Sequence, residues 1–163
     1  NYIGSLPQKN KQHNSWSVFY AQQRIGVQME IAAERGRLTS HRRQKLEKLI
    51  SEMDKFLPRE VPASLLHGDL WSGNVLVTTG SRPAILDPAV YYGHAEVELA
   101  FTELFGGFSS SFYDAYWSTT AAKQEGYAER RDLYQLYPLL VHLNIFGGGY
   151  ARSVDAILHH YVS

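Results

Sequence analysis

With 163 residues, 44% of them hydrophobic and 20% charged, the chain has the composition of one soluble globular domain built on a single core. Its formal net charge of +0 excludes a polyanion binder by charge alone, so no nucleic-acid partner is expected. The lack of cysteine excludes disulfides, thiolate zinc sites and cysteine nucleophiles, and makes a cytoplasmic location the default expectation.

No apolar run approaches the ~18 residues of a membrane span, so no membrane partner is expected either. The start, Asn1-Tyr2-Ile3-Gly4, has no basic or apolar leader pattern. It is not a methionine start, which predicts a piece of a longer protein whose missing part lies upstream. Oligomeric state is not readable from these residues.

In chain order, a loop over 4–14 leads to Ser15, which can cap a helix carrying Val18, Ala21, Ile25, Met29 and Ala32 on one face and ending near Gly36. Thr39 can cap a second helix with the stripe Leu46, Leu49, Ile50, Met53 and Phe56, stopped by Pro58 and Pro62. The basic residues Arg35, Arg37, Arg42, Arg43, Lys45 and Lys48 alternate with that stripe and read as a solvated face. Leu65-Leu66 is a short apolar run opening into the loop 67–74. Val75 to Thr78, the turn Thr79-Gly80-Ser81 and Pro83 to Leu86 then read as a hairpin.

Beyond it, helices are predicted over 96–105 and 110–117, along the stripe Leu133, Leu136, Tyr137, Leu140 and Leu143, and along Val154, Ile157, Leu158 and Tyr161. Pro138 should kink or divide the third of these, because it removes a backbone donor and crowds the preceding turn. Gly147-Gly148-Gly149 reads as a helix stop rather than a phosphate cradle. The expected class is α+β and mainly α-helical, a single domain over 1–163.

The chemistry is concentrated in His67-Gly68-Asp69-Leu70-Trp71-Ser72-Gly73-Asn74. His-x-Asp-x-x-x-x-Asn followed by a lone Asp at the end of a hairpin is the arrangement of kinase catalytic loops. Strands rise about 3.3 Å per residue, so a short hairpin brings Asp87 back beside Asn74. Phosphoryl transfer needs positioning and neutralisation of phosphate charge by magnesium. Asn74 and Asp87 offer hard oxygen ligands for Mg2+, and Asp69 is left to orient the acceptor hydroxyl and take its proton. Zinc-helix, nucleophile-elbow and phosphate-loop patterns are absent.

The loop also resembles the signature of the fructosamine (ketosamine) kinase family, a branch of the aminoglycoside and choline phosphotransferases. Asn1 to Gln8 with Asn10, Leu86 to His94, Glu98-Leu99-Ala100, Glu103 to Phe108 and Tyr134 to Tyr137 resemble blocks of that family in the same order. The resemblance implies the C-terminal lobe of a protein-kinase-like fold, ATP-dependent phosphorylation of the 3-hydroxyl of a small-molecule or protein-linked ketosamine, and ATP with Mg2+ as cofactors. It implies Asp69 as base, Asn74 and Asp87 as metal ligands and His67 as a catalytic-loop residue that braces the loop. Trp71 stands between contact with the sugar and core packing, and Tyr91, Tyr92 and His94 read as packing residues. The family's upstream lobe, with its lysine for the ATP phosphates, has no counterpart here, since none of the six lysines sits in a strand-like setting and no glycine-rich loop precedes the motif. The fragment alone is therefore expected to bind ATP poorly. An aminoglycoside or choline phosphotransferase and a non-catalytic binding module are the competing readings.

Overall fold

The computed structural model describes residues 1–119 and 125–162; Lys123, one of the six lysines, lies outside them. The described chain is mainly helical, with three small two-stranded sheets.

Ser15 caps the first helix through its side-chain oxygen, which accepts from the Val18 N–H at 3.5 Å. Helix α1 (Trp16–Phe19) runs into a π-helical segment (Tyr20–Gly26) and on into α2 (Val27–Glu34). Apolar periodicity marks the inner face correctly but carries no signal of the wider winding in the middle. The π segment holds Arg24 fully buried, with its guanidinium donating to the Lys9 carbonyl and Asn10 Oδ1, both at 2.8 Å, and lying 3.9 Å above the Tyr91 ring. Neutral oxygens and a π face thus receive this charge.

Helix α3 (Ser40–Ser51) is capped by Thr39, whose hydroxyl accepts from the Arg42 N–H at 3.2 Å, and is followed by a 3-10 turn, Met53–Lys55. Helices α4 (Ala95–Leu104), α5 (Ser110–Thr119), α6 (Tyr127–Phe146) and α7 (Ala151–Tyr161) complete the set. The basic stretch is not solvated throughout. Arg42 is buried and makes a two-pronged ion pair with Asp155 of α7 at 2.7 and 2.9 Å, so it fastens α3 to α7.

The long helix α6 is the axis of the core and packs against α4, α2 and α7. Leu133, Leu136, Leu140 and Leu143 along it are all buried, and truncating any of them to alanine costs about 2–5 kcal/mol. Contrary to the expectation of a division, α6 runs through Pro138 as one element. Proline at 138 leaves the carbonyl of Tyr134 without its helical donor. The buried phenol of Tyr20 takes that place, donating to the carbonyls of Tyr134 and Leu133 at 3.0 Å each.

Strands β1 (Tyr2–Ile3) and β2 (Leu6–Pro7) form a tight hairpin; Leu6 and Pro7 fall in a stretch that reads as loop from the sequence. Strand β3 (Ser64–Leu66) pairs antiparallel with β6 (Tyr91–Gly93), and β4 (Val75–Val77) with β5 (Pro83–Ile85). The catalytic-type loop leaves β3, the β4–β5 hairpin returns the chain, and β6 comes back to pair with β3. Loop 67–74 and Asp87 are thereby fixed between two sheets.

Candidate active site

The hairpin register sets the site. Val75 lies opposite Ile85, and the Leu86 N–H donates to the Asn74 carbonyl at 2.9 Å, so Asp87 follows directly after a residue bonded to Asn74. Asp87 adopts a left-handed backbone, with φ of 54°. Among non-glycine residues Asp and Asn enter that region at least cost, and such strain concentrates at functional sites.

His67 joins the two halves of the site. One ring nitrogen, Nε2, lies 2.8 Å from the Leu86 carbonyl and the other, Nδ1, accepts from the Asp69 N–H at 3.3 Å. The carbonyl needs a donor, so the ring presents an N–H to it through Nε2. With both nitrogens engaged, His67 spans from the loop to the residue before Asp87. The Ala89 N–H donates to the His67 carbonyl at 2.8 Å and closes the same corner.

Asn74 is buried and donates through Nδ2 to the Asp69 carbonyl at 2.9 Å and to Asp69 Oδ2 at 3.1 Å. Because the amide nitrogen is used inward, the amide oxygen is the atom that could face a cation. Burial pushes the Asp69 carboxyl up to about 6; the Asn74 hydrogen bond opposes this, while the Asp87 and Glu98 carboxylates reinforce it. A carboxyl poised near neutrality suits a group that must accept a proton and later release it.

Glu98 belongs to the site, though its role is not legible in the motif. It projects from α4 and accepts the Gly68 N–H at 3.2 and 3.1 Å through its two carboxylate oxygens. Burial raises its pKa, and the hydrogen bond from the Gly68 N–H pulls it back. An acidic residue one helical turn inside the helix that follows β6 is the sequence signal that marks it. Gly68 itself has φ of +81°, and a Cβ there would meet the Ala89 carbonyl oxygen at 2.1 Å, so only glycine fits.

Trp71 is neither core nor free-standing: it is 39% exposed, folds over Gly73 and meets Phe105 edge-on with ring centroids 6.3 Å apart. Tyr91 is buried and Tyr92 exposed, as alternation along β6 requires. His94 Nδ1 lies 2.8 Å from the Tyr134 hydroxyl, within a largely buried polar group that includes Trp16, Glu96 and the half-buried Arg130. Among the described residues no helix is long and apolar enough to cross a membrane.

A family model described as fructosamine kinase matches residues 1–163. The chain belongs to the fructosamine kinase family. A ketosamine-3-kinase of Mus musculus is 47% identical over 155 residues, which make up 92% of this chain and 48% of that protein. A Synechocystis protein bearing a ketoamine kinase name is 44% identical over 161 residues, 97% of this chain and 52% of its own. A solved structure from Thermobifida fusca, named for fructosamine-3-kinase, superposes with a TM-score of 0.89 at 38% identity, covering 97% of this chain and 55% of that one. This fructosamine kinase chain thus spans about half the length of the relatives it matches.

Proposed function

We propose that the intact protein transfers the γ-phosphoryl group of ATP to the 3-hydroxyl of a ketosamine, free or protein-linked, and that this chain is its catalytic lobe, a single domain of kinase-like fold. The observation that carries the reading is the convergence of Asp69, Asn74 and Asp87 at the base of one hairpin, in a chain of the fructosamine kinase family. Asp69 is the base: its carboxylate orients the sugar hydroxyl and accepts its proton as the oxygen bonds to phosphorus and the bond to ADP breaks. His67 and Glu98 hold the loop that carries it, and Trp71 lies two residues away, available to the sugar.

The amide oxygen of Asn74 and the carboxylate of Asp87 are hard oxygen donors that would hold Mg2+. Bound there, the ion would supply neutralisation of phosphate charge. The grip on ATP from a strand-borne lysine is assigned to the half of the relatives' length that this chain does not span. Apolar residues exposed along the hairpin, Leu76, Val77, Ile85 and Leu86, support a covering surface on this side.

The test is product identification. The intact protein, given ATP, magnesium and fructosyl-lysine, is expected to yield a ketosamine 3-phosphate by mass spectrometry and phosphorus NMR. Phosphorylation of kanamycin or choline with no ketosamine product would overturn the acceptor assignment.

A further inference from the structure

Five rings form an unbroken row that begins at the catalytic-type loop. Trp71 meets Phe105, Phe105 lies 4.8 Å from His142, and His142 lies 5.4 Å from Phe146 and 5.0 Å from Tyr150. They come from four places in the chain: the loop, the residue after α4, the last two turns of α6, and the 3-10 turn Gly148–Tyr150. Phe146, at the far end, is 67% exposed, and Phe105 is 39% exposed. Single exposed aromatics need no explanation, but a row continuous with a reactive loop is a built surface.

The chemistry of the acceptor says what the far end is for, on the reading that the acceptor is a ketosamine. Such a molecule has a sugar half and an amine half. The hydroxyl to be phosphorylated must sit at Asp69, which confines the sugar to the near end of the row beside Trp71. The amine and its substituent must then leave the site, and the aromatic row is an apolar surface continuous with Trp71. An extended lysine stem or an aryl group laid along Phe146 would cover its exposed face.

We propose that Phe146 and Tyr150 form a subsite for the substituent carried on the acceptor's amine, so that this end of α6 selects ketosamines by the size and apolar character of the amine. His142 does not compete for this space with charge: its Nδ1 lies 2.8 Å from the Pro138 carbonyl, and burial lowers its pKa, so the ring is neutral at physiological pH. Phe146 is surface-exposed, so its truncation does not hollow the core.

The experiment uses the intact protein and three acceptors that share the fructose half: fructosyl-glycine, fructosyl-Nα-acetyl-lysine and fructosyl-benzylamine. Phe146→Ala is expected to lower the ratio of kcat/KM for the benzylamine adduct to that for the glycine adduct by about tenfold, through KM, with Phe146→Leu in between. Tyr150→Ala should act in the same direction. A ratio unchanged in all three variants, with parent-like thermal unfolding, overturns the subsite. A parent enzyme inactive on all three acceptors overturns the ketosamine reading itself, and the subsite with it.

Discussion

The side-chain amide of Asn74 donates to both the backbone carbonyl and the carboxylate of Asp69, five residues earlier, at 2.9 and 3.1 Å. The loop therefore closes on itself and supports the Asp69 carboxylate through the amide nitrogen, without using the amide oxygen. Removing the amide withdraws a donor that favours the ionised form of Asp69. Asn74→Ala is expected to lower phosphoryl transfer by on the order of 100-fold and to move the acid limb of its pH profile upward. Steady-state rates across pH check both effects; an unmoved limb contradicts the coupling.

Asp69 gives two pH predictions of opposite sense. As the proposed base it must be ionised, so kcat/KM of the intact protein should fall below about pH 6, roughly tenfold per pH unit. For stability, its folded pKa lies above the ordinary carboxyl value of about 3.9, so its contribution favours folding fully below that value and is lost as pH rises through about 6. Asp69→Asn should therefore make the metal-free chain more stable at pH 7.5, by on the order of 1 kcal/mol after allowance for solvent screening, and the gain should shrink at pH 4.5. Urea unfolding at the two pH values measures it; an Asn variant less stable at pH 7.5 contradicts it.

Tyr20 and Pro138 make a second coupled pair. Tyr20→Phe keeps the shape of the side chain but strands the Tyr134 carbonyl in the core, at an expected cost of about 1–3 kcal/mol. Pro138→Ala restores the helical donor, so the same substitution in that background should cost less. A double-mutant cycle with no coupling between the two positions rules out the relationship.

Glu98 is expected to act on the loop rather than on the substrate. Glu98→Ala leaves the buried Gly68 N–H without its acceptor and should cost about 1–3 kcal/mol while lowering kcat. Glu98→Gln keeps an acceptor oxygen and should retain most of both. Equal losses in the two variants would show that charge, not the hydrogen bond, is what the loop requires.

These pairs also show where sequence and structure part. Ser15, Thr39 and the hairpin around Gly80 are legible because each acts through neighbours a few residues away: a cap on its own helix, or a turn between two adjacent runs. The same holds for Asp69, Asn74 and Asp87, whose relation needs only strand rise and a turn. Features that depend on distant residues were not legible. Strand β6 exists because β3 pairs with it across twenty-odd residues, and the unbroken course of α6 depends on a phenol more than one hundred residues upstream. The π-helical winding that buries Arg24 against Tyr91 leaves no mark in the apolar spacing. Glu98 and the aromatic row from Trp71 to Tyr150 are assembled by packing of α4 and α6, a tertiary event that single-chain patterns do not encode.

The most direct test of the account is single-turnover phosphoryl transfer by the intact protein with ATP, magnesium and fructosyl-lysine, comparing the parent with Asp69→Asn. A loss of about 100- to 10,000-fold in the transfer step, with ketosamine binding and unfolding temperature preserved, is the predicted result. Transfer at the parental rate in the Asn variant would contradict the assignment of Asp69 as the base.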